Sequence, residues 1–193
     1  HIYSNVYHIH PPTVVKKVGD IVPVEMEAWE QEHRHHHIQT RKLKSLGDSI
    51  SSRIPLFFNT DVILSKANAV DSMDYLYRNG HHDECLFVHG GKGTLKTNFG
   101  SLNLAYGDYA IIPRGVIWQL DVIEPLELFI TETAGPIETP NRYRNKLGQL
   151  LEHSPYSERD IKTPVLGEPQ PDGPIEVKVR LAQGLQSYEY KHH

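Results

Sequence analysis

Residues able to bind a metal or move protons cluster in two places, His81-His82-Asp83-Glu84-Cys85 and His33-Arg34-His35-His36-His37. Imidazole and carboxylate are the donors of non-haem Fe(II) oxygenases, which need two His and one carboxylate on one side of the ion and open positions for substrate and oxygen. Successive side chains of a strand face opposite sides. His81 and His82 therefore cannot both reach one ion from a regular strand, whereas His82 and Glu84 share a face and could hold an ion together with several waters. No third donor stands at a matching position. The spacing favours a polar cluster beside a turn, so no catalytic, cofactor-binding or metal residue is assigned. In the second run, His33 and His37 would stand one turn apart on a helix. No carboxylate or Cys is spaced to complete a shell around them, and such runs usually form a solvated face. Adventitious metal affinity is the most the run predicts. Cys85 lies in an apolar stretch, where a packed thiol is expected rather than a nucleophile. As the single cysteine, it excludes an intrachain disulfide and a disulfide-stapled secreted scaffold.

The elements that must carry these groups are β-strands. From Pro55 onward, short apolar runs recur at residues 56–58, 62–64, 85–88, 94–99, 102–104, 109–112, 117–120 and 126–131. Asn79-Gly80, Gly90-Gly91, Phe99-Gly100 and Tyr106-Gly107 separate them, as turn residues of antiparallel hairpins do. Many short strands at close spacing predict an all-β sandwich or barrel, with residues 54–133 as the barrel. Residues 1–53 read as an extended arm with surface elements, including an extended segment at 3–10 closed by Pro11-Pro12. Residues 134–193 read as an appendage. It holds a helix over 143–152 interrupted by Gly148, a surface excursion at 154–160, a Pro-rich connector at 164–174, and an alternating strand at 175–181 with one buried face, expected to begin or brace a further module.

The chain has 193 residues, 38% of them hydrophobic, and a formal net charge of -4. That suits one substantial core with appendages. Lys and Arg are scattered and outnumbered by acids, so neither nucleic acid nor an acidic membrane surface is an expected partner. No apolar run approaches the roughly 20 residues of a membrane span, and no signal peptide is recognisable. A cytoplasmic, reducing location is expected. The start at His1 without Met and the stop at His192-His193 give the expectation that both ends are cut.

Two segments resemble the consensus blocks of a cupin barrel, which predicts a double-stranded β-helix, the cupin jelly roll. In 78–94, six residues separate Glu84 from Gly91, the spacing that places a carboxylate before a tight turn. The His-x-His pair usual before that Glu is absent, since Tyr77, Arg78, Asn79 and Gly80 stand there. Gly107 to Gly115 fits Gly-x5-Pro-x-Gly, but Trp118 takes the place of the usual ligand histidine, and an indole cannot coordinate iron.

Both blocks, and above all residues 143–161 (Tyr-Arg-Asn-Lys-Leu-Gly-Gln-Leu-Leu-Glu-His-Ser-Pro-Tyr-Ser-Glu-Arg-Asp-Ile), resemble the homogentisate 1,2-dioxygenase family in its bacterial form. The resemblance runs from Ile2 to the closing Tyr190-Lys191-His192-His193. It implies a two-cupin protein about twice this length that opens the ring of homogentisate with O2 to give maleylacetoacetate, in tyrosine and phenylalanine breakdown. It further implies Fe(II) held by two His and one Glu in the carboxy-terminal cupin, and trimeric or hexameric assembly. This chain matches the amino-terminal, degenerate cupin, with the strand at 175–181 leading to the missing carboxy-terminal cupin, so the resemblance places no catalytic residue here and implies that this half is structural and inactive by itself. Two other readings stay open: a self-contained metal-dependent cupin enzyme using His82 and Glu84, and a non-catalytic cupin holding an apolar ligand against Trp118, Phe87 and Tyr109.

Overall fold

The computed structural model describes residues 7–11, 13–29, 32–168 and 173–192. The strands are β1 (Val15–Pro23), β2 (Ile54–Phe58), β3 (Val62–Ala69), β4 (Leu76–Asn79), β5 (Asp83–Thr97), β6 (Gly100–Ala105), β7 (Tyr109–Ile112), β8 (Ile117–Thr133), β9 (Ile175–Leu181) and β10 (Gly184–Tyr190). Short 3₁₀ turns are the only helical elements among the described residues.

Two long strands, β5 and β8, each run through both leaves of a double sheet. Residues 83–88 of β5 pair with 128–133 of β8, and on their other edge 84–87 pair with β7. Beyond the bend, residues 92–97 of β5 pair with 118–124 of β8 and with β6. One leaf therefore has the order β2-β3-β8-β5-β7, and the other β1-β10-β9-β4-β8-β5-β6. This is the expected all-β cupin jelly roll.

The bend has an identifiable cause. Register slips occur between Val88 and Gly93, opposite the segment of β8 that contains Pro125, and a proline inside a strand is tolerated at such a bulge. Gly91 has φ +84, and a Cβ there would lie 2.0 Å from the Pro125 carbonyl oxygen. Only glycine lets the two backbones cross this closely.

Period-two alternation then fills the space between the leaves. Leu86 and Val88 of β5, Leu126, Leu128 and Ile130 of β8, Ala67 and Ala69 of β3, and Trp118 and Leu120 all point inward and are buried. Pairing these faces removes their apolar area from water, the main driving force for closing the double sheet.

The helix expected over residues 143–152 does not form. A 3₁₀ turn at Asn141–Tyr143 leads into a loop closed by an Arg144–Leu150 bridge. Inside it the Asn145 carboxamide oxygen accepts the N–H groups of Leu147 and Gln149, at 2.8 and 3.0 Å, and Gly148 takes φ +87. Asn side chains compete for backbone partners in this way, and here the loop wins over helix propensity.

The strand expected at 175–181 is β9. It joins β4 in parallel, so this segment braces the barrel itself. β10 and then β1 extend the same leaf, which brings part of the extended arm back onto the sheet. Parts of the expected segment at 3–10 and of the Pro-rich connector lie outside the described residues.

Candidate functional site

One mouth of the barrel collects the polar side chains that alternation turns inward. Glu84 is in phase with Leu86 and Val88 on β5, and Glu132 is in phase with Leu128 and Ile130 on β8. The two are directly paired across the ladder, and each is nearly or fully buried. Two carboxylates side by side in a dry site need a counter-charge.

Arg53 supplies it. Its Nη1 donates to Glu84 Oε1 at 2.6 Å and lies 3.5 Å from Glu132 Oε2. The other Glu84 oxygen accepts the Trp118 indole N–H at 3.2 Å. Asn79 Nδ2 donates to Glu132 Oε1 at 2.8 Å, and the guanidinium carbon sits 5.5 Å from the Tyr77 ring centroid.

The segment before β2 aims Arg53. Asp48 accepts the N–H groups of Ile50 and Ser51, the Ser51 hydroxyl and the Tyr75 hydroxyl. Arg53 Nε in turn donates to the Ser49 carbonyl at 3.0 Å. The guanidinium is therefore held at both ends.

These contacts set the protonation states. Burial acts against the Arg53 charge, but Glu84 and Glu132 outweigh it and hold the guanidinium protonated. Burial raises the Glu84 pKa, and the charge of Glu132 adds to that, against the opposing pull of Arg53. Two carboxylates thus share one cation. Burial, followed by the nearby Glu84 charge, raises the Tyr77 phenol.

Fe(II) does not fit these residues. Both Glu84 oxygens are engaged, one by a guanidinium and one by an indole, and no group of three His, Cys, Asp or Glu side chains converges among the described residues. The pairing of His82 with Glu84 along one strand face is corrected as well: β5 begins at Asp83, and His82 belongs to the preceding loop. There its N–H donates to Asn79 Oδ1 at 2.8 Å, and its ring stacks edge-on to His81 at 4.5 Å. Burial, reinforced by His81, lowers the His82 pKa. Asp83 ties the loops together through the Arg114 N–H and guanidinium and the Ile137 N–H.

The other candidates separate. His33, His35, His36 and His37 are exposed and lie outside any helix or strand, so the one-turn spacing of His33 and His37 never arises. A helix needs an apolar face to pack, and Met26, Trp29 and Ile38 are too sparse to form one. Trp118 is fully buried in the core, whereas Phe87 and Tyr109 sit on the outer face of the first leaf with rings 4.5 Å apart. Trp118 thus faces away from the other two, and the three do not line one interior wall. Cys85 shares that outer face, half-buried, and burial raises its thiol pKa.

Beside the Arg53 cluster lies a cavity of about 310 Å3, which Arg180 and Lys178 of β9 also line. Arg53, Asn79, Glu132 and Arg180 were not singled out in the sequence. Glu132 was the findable one, because it continues the inward phase of Leu126, Leu128 and Ile130.

No protein-family model matches the chain. It is similar to a Saccharolobus solfataricus protein named "Putative dioxygenase", 39% identical over 194 residues that cover 99% of this chain and 50% of that protein. The chain thus spans about half the length of this curated relative. Similar solved structures include the Schizosaccharomyces pombe Cnp3 cupin domain, at 15% identity and TM-score 0.47, covering 60% of this chain and 88% of that one. A Bacteroides fragilis cupin protein follows at 18% identity and TM-score 0.40, covering 59% and 94%. No helix is long and apolar enough to cross a membrane among the described residues.

Proposed function

We propose that this chain is the metal-free, structural half of a two-cupin dioxygenase that cleaves the ring of homogentisate. The observation that carries the reading is Arg53. At the position where a cupin turns its carboxylate toward a metal, this barrel places a guanidinium between Glu84 and Glu132, at 2.6 and 3.5 Å. The inward carboxylate oxygens are taken up by the protein's own Arg53, Trp118 and Asn79, and no open coordination position is left for oxygen or substrate.

The similarity to a protein twice as long and named a dioxygenase supports a second, catalytic cupin outside this chain. Homogentisate as substrate rests on the resemblance of residues 143–161 and of the two cupin blocks. Fe(II) and the groups that move the phenol proton would belong to the other half.

The outer face of the first leaf supports the structural role. Ladder rows across it run Phe57-Leu64-Thr131-Cys85-Ile111 and Ile54-Lys66-Phe129-Phe87-Tyr109. Phe57 is 56% and Tyr109 68% exposed, an apolar surface of the kind that marks a protein contact. In this reading it meets another cupin, within one polypeptide or in a homo-oligomer.

The test is oxygen uptake, with maleylacetoacetate formation followed by absorbance. The 193-residue chain reconstituted with Fe(II) should be inactive toward homogentisate, and the natural polypeptide, sized by intact mass, should be active. Stoichiometric iron retained by the 193-residue chain with turnover, or a full-length natural protein that ignores homogentisate, would overturn the proposal.

A further inference from the structure

The same mouth holds more positive charge than its carboxylates engage. Arg180 is only 9% exposed, and its guanidinium has no hydrogen bond or ion pair among the described residues. Its Nη1 is buried without a partner, and so is Nη2 of Arg53. A guanidinium this buried with no carboxylate beside it gains from an anion that reaches its unpaired N–H groups.

The fold nevertheless holds Arg180 there. Its backbone pairs in register with Asn79, and its carbonyl accepts the Gly80 N–H at 2.9 Å. Asn79 and Tyr77 point inward on β4, and parallel pairing turns Arg180 and Lys178 the same way. Lys178 Nζ stands 3.5 Å above the Tyr75 ring centroid.

The cavity that both arginines line is about 310 Å3, the volume of about ten waters and the lower end of ligand pockets. Its acids are mostly engaged already: Asp48 by Ile50, Ser51 and Tyr75, and Glu132 by Asn79 and Arg53. The remaining acid, Glu25, is exposed on the arm. Apolar side chains, among them Ile63, Leu185 and Met26, form much of the rest of the wall. An inorganic anion would satisfy the guanidiniums and leave that wall bare, and a hydrocarbon would do the reverse.

From this we infer that the cavity binds a small organic acid, its carboxylate received by Arg180 with Arg53 Nη2 as the neighbouring free donor, and its apolar body against Ile63 and Leu185. A planar carboxylate matches the guanidinium fork and compensates its charge. The site asks nothing of iron and does not depend on the dioxygenase reading.

The test is calorimetric titration and thermal shift of the 193-residue chain with benzoate, phenylacetate and hexanoate. Acetate, phosphate and neutral benzyl alcohol are the controls. The three apolar acids should bind and raise the melting temperature, at least tenfold tighter than any control. Arg180→Met should weaken them at least tenfold while the unliganded protein melts no lower than wild type, because an unpaired buried charge has gone. If Arg180→Met does not fold, Arg180→Lys, which keeps the charge and loses the fork, should fold and weaken binding several-fold. No binding, equal binding of benzyl alcohol or phosphate, or unchanged affinity in the Arg180 variant that folds overturns the site.

Discussion

Replacing Arg53 by Met tests whether its guanidinium balances two buried carboxylates. The substitution keeps an unbranched chain of similar reach and deletes the charge that lies 2.6 Å from Glu84 and 3.5 Å from Glu132. Side-chain exposures of 0% and 7% keep these acids largely out of solvent. Removing one partner of a buried pair costs about 3–5 kcal/mol. For a chain of this size each kcal/mol moves the melting temperature by about 2–4 °C, so a fall of about 6–20 °C is expected.

The loss should shrink as pH falls. Without Arg53 the folded-state pKa of Glu84, already raised by burial, rises further, and the penalty attaches to the ionised form. Protonating it in acid removes the penalty, so Arg53→Met should differ from wild type less at pH 4 than at pH 8. The double variant Arg53→Met/Glu84→Gln should recover part of the loss, with a coupling of about 1–3 kcal/mol in the mutant cycle. Urea denaturation at both pH values measures all three quantities. A single-variant loss under about 1 kcal/mol, with no coupling to Glu84, would refute the reasoning, since a charge that matters this little is not compensating buried acids.

Gly91→Ala should cost more than about 4 kcal/mol or abolish soluble expression, because φ +84 and a Cβ 2.0 Å from the Pro125 oxygen cannot both be relieved; Gly135→Ala, with open space around it, is the near-neutral control. Asp83 and Asp48 have lowered folded-state pKa values: burial works upward, but the backbone N–H groups of Arg114 and Ile137, and of Ile50 and Ser51, outweigh it. Their stabilisation is present above the ordinary value of 3.8 and lost as pH falls through the lower folded values. The urea midpoint should therefore drop steeply below about pH 4, and less so in Asp83→Asn; an identical acid limb in that variant counts against the assignment. Cys85, half-buried with a thiol raised by burial, should react with iodoacetamide at pH 8 at least about tenfold more slowly in the folded protein than in urea; equal rates would place the thiol in solvent.

Local signals were enough for the barrel. The apolar runs from 85–88 to 126–131 mark β5 through β8, and Phe99-Gly100 closes the β5–β6 hairpin. The other expected hairpin turns are corrected, since Gly90-Gly91 lies inside β5, and the strands that Asn79-Gly80 and Tyr106-Gly107 join pair with other strands instead of each other. The same cues could not say that β5 and β8 each serve both leaves, which depends on how Gly91 meets Pro125 from across the sheet. Helix propensity over 143–152 was misleading, since one Asn side chain and one glycine redirect the backbone into a loop.

The candidate site divides along the same line. The sequence by itself determined that Glu84 shares a strand face with Leu86 and Val88 and that Trp118 stands where a ligand histidine would, because phase within a strand and spacing within a block are short-range properties. Only the tertiary structure decided what Glu84 meets. Arg53 lies 31 residues away in sequence and arrives through a turn fastened by Asp48, Glu132 arrives through ladder pairing at the far end of β8, and Arg180 arrives through a parallel strand added to β4. Charge compensation in a buried site acts across a few ångströms of space and is indifferent to separation along the chain, so no local pattern records it.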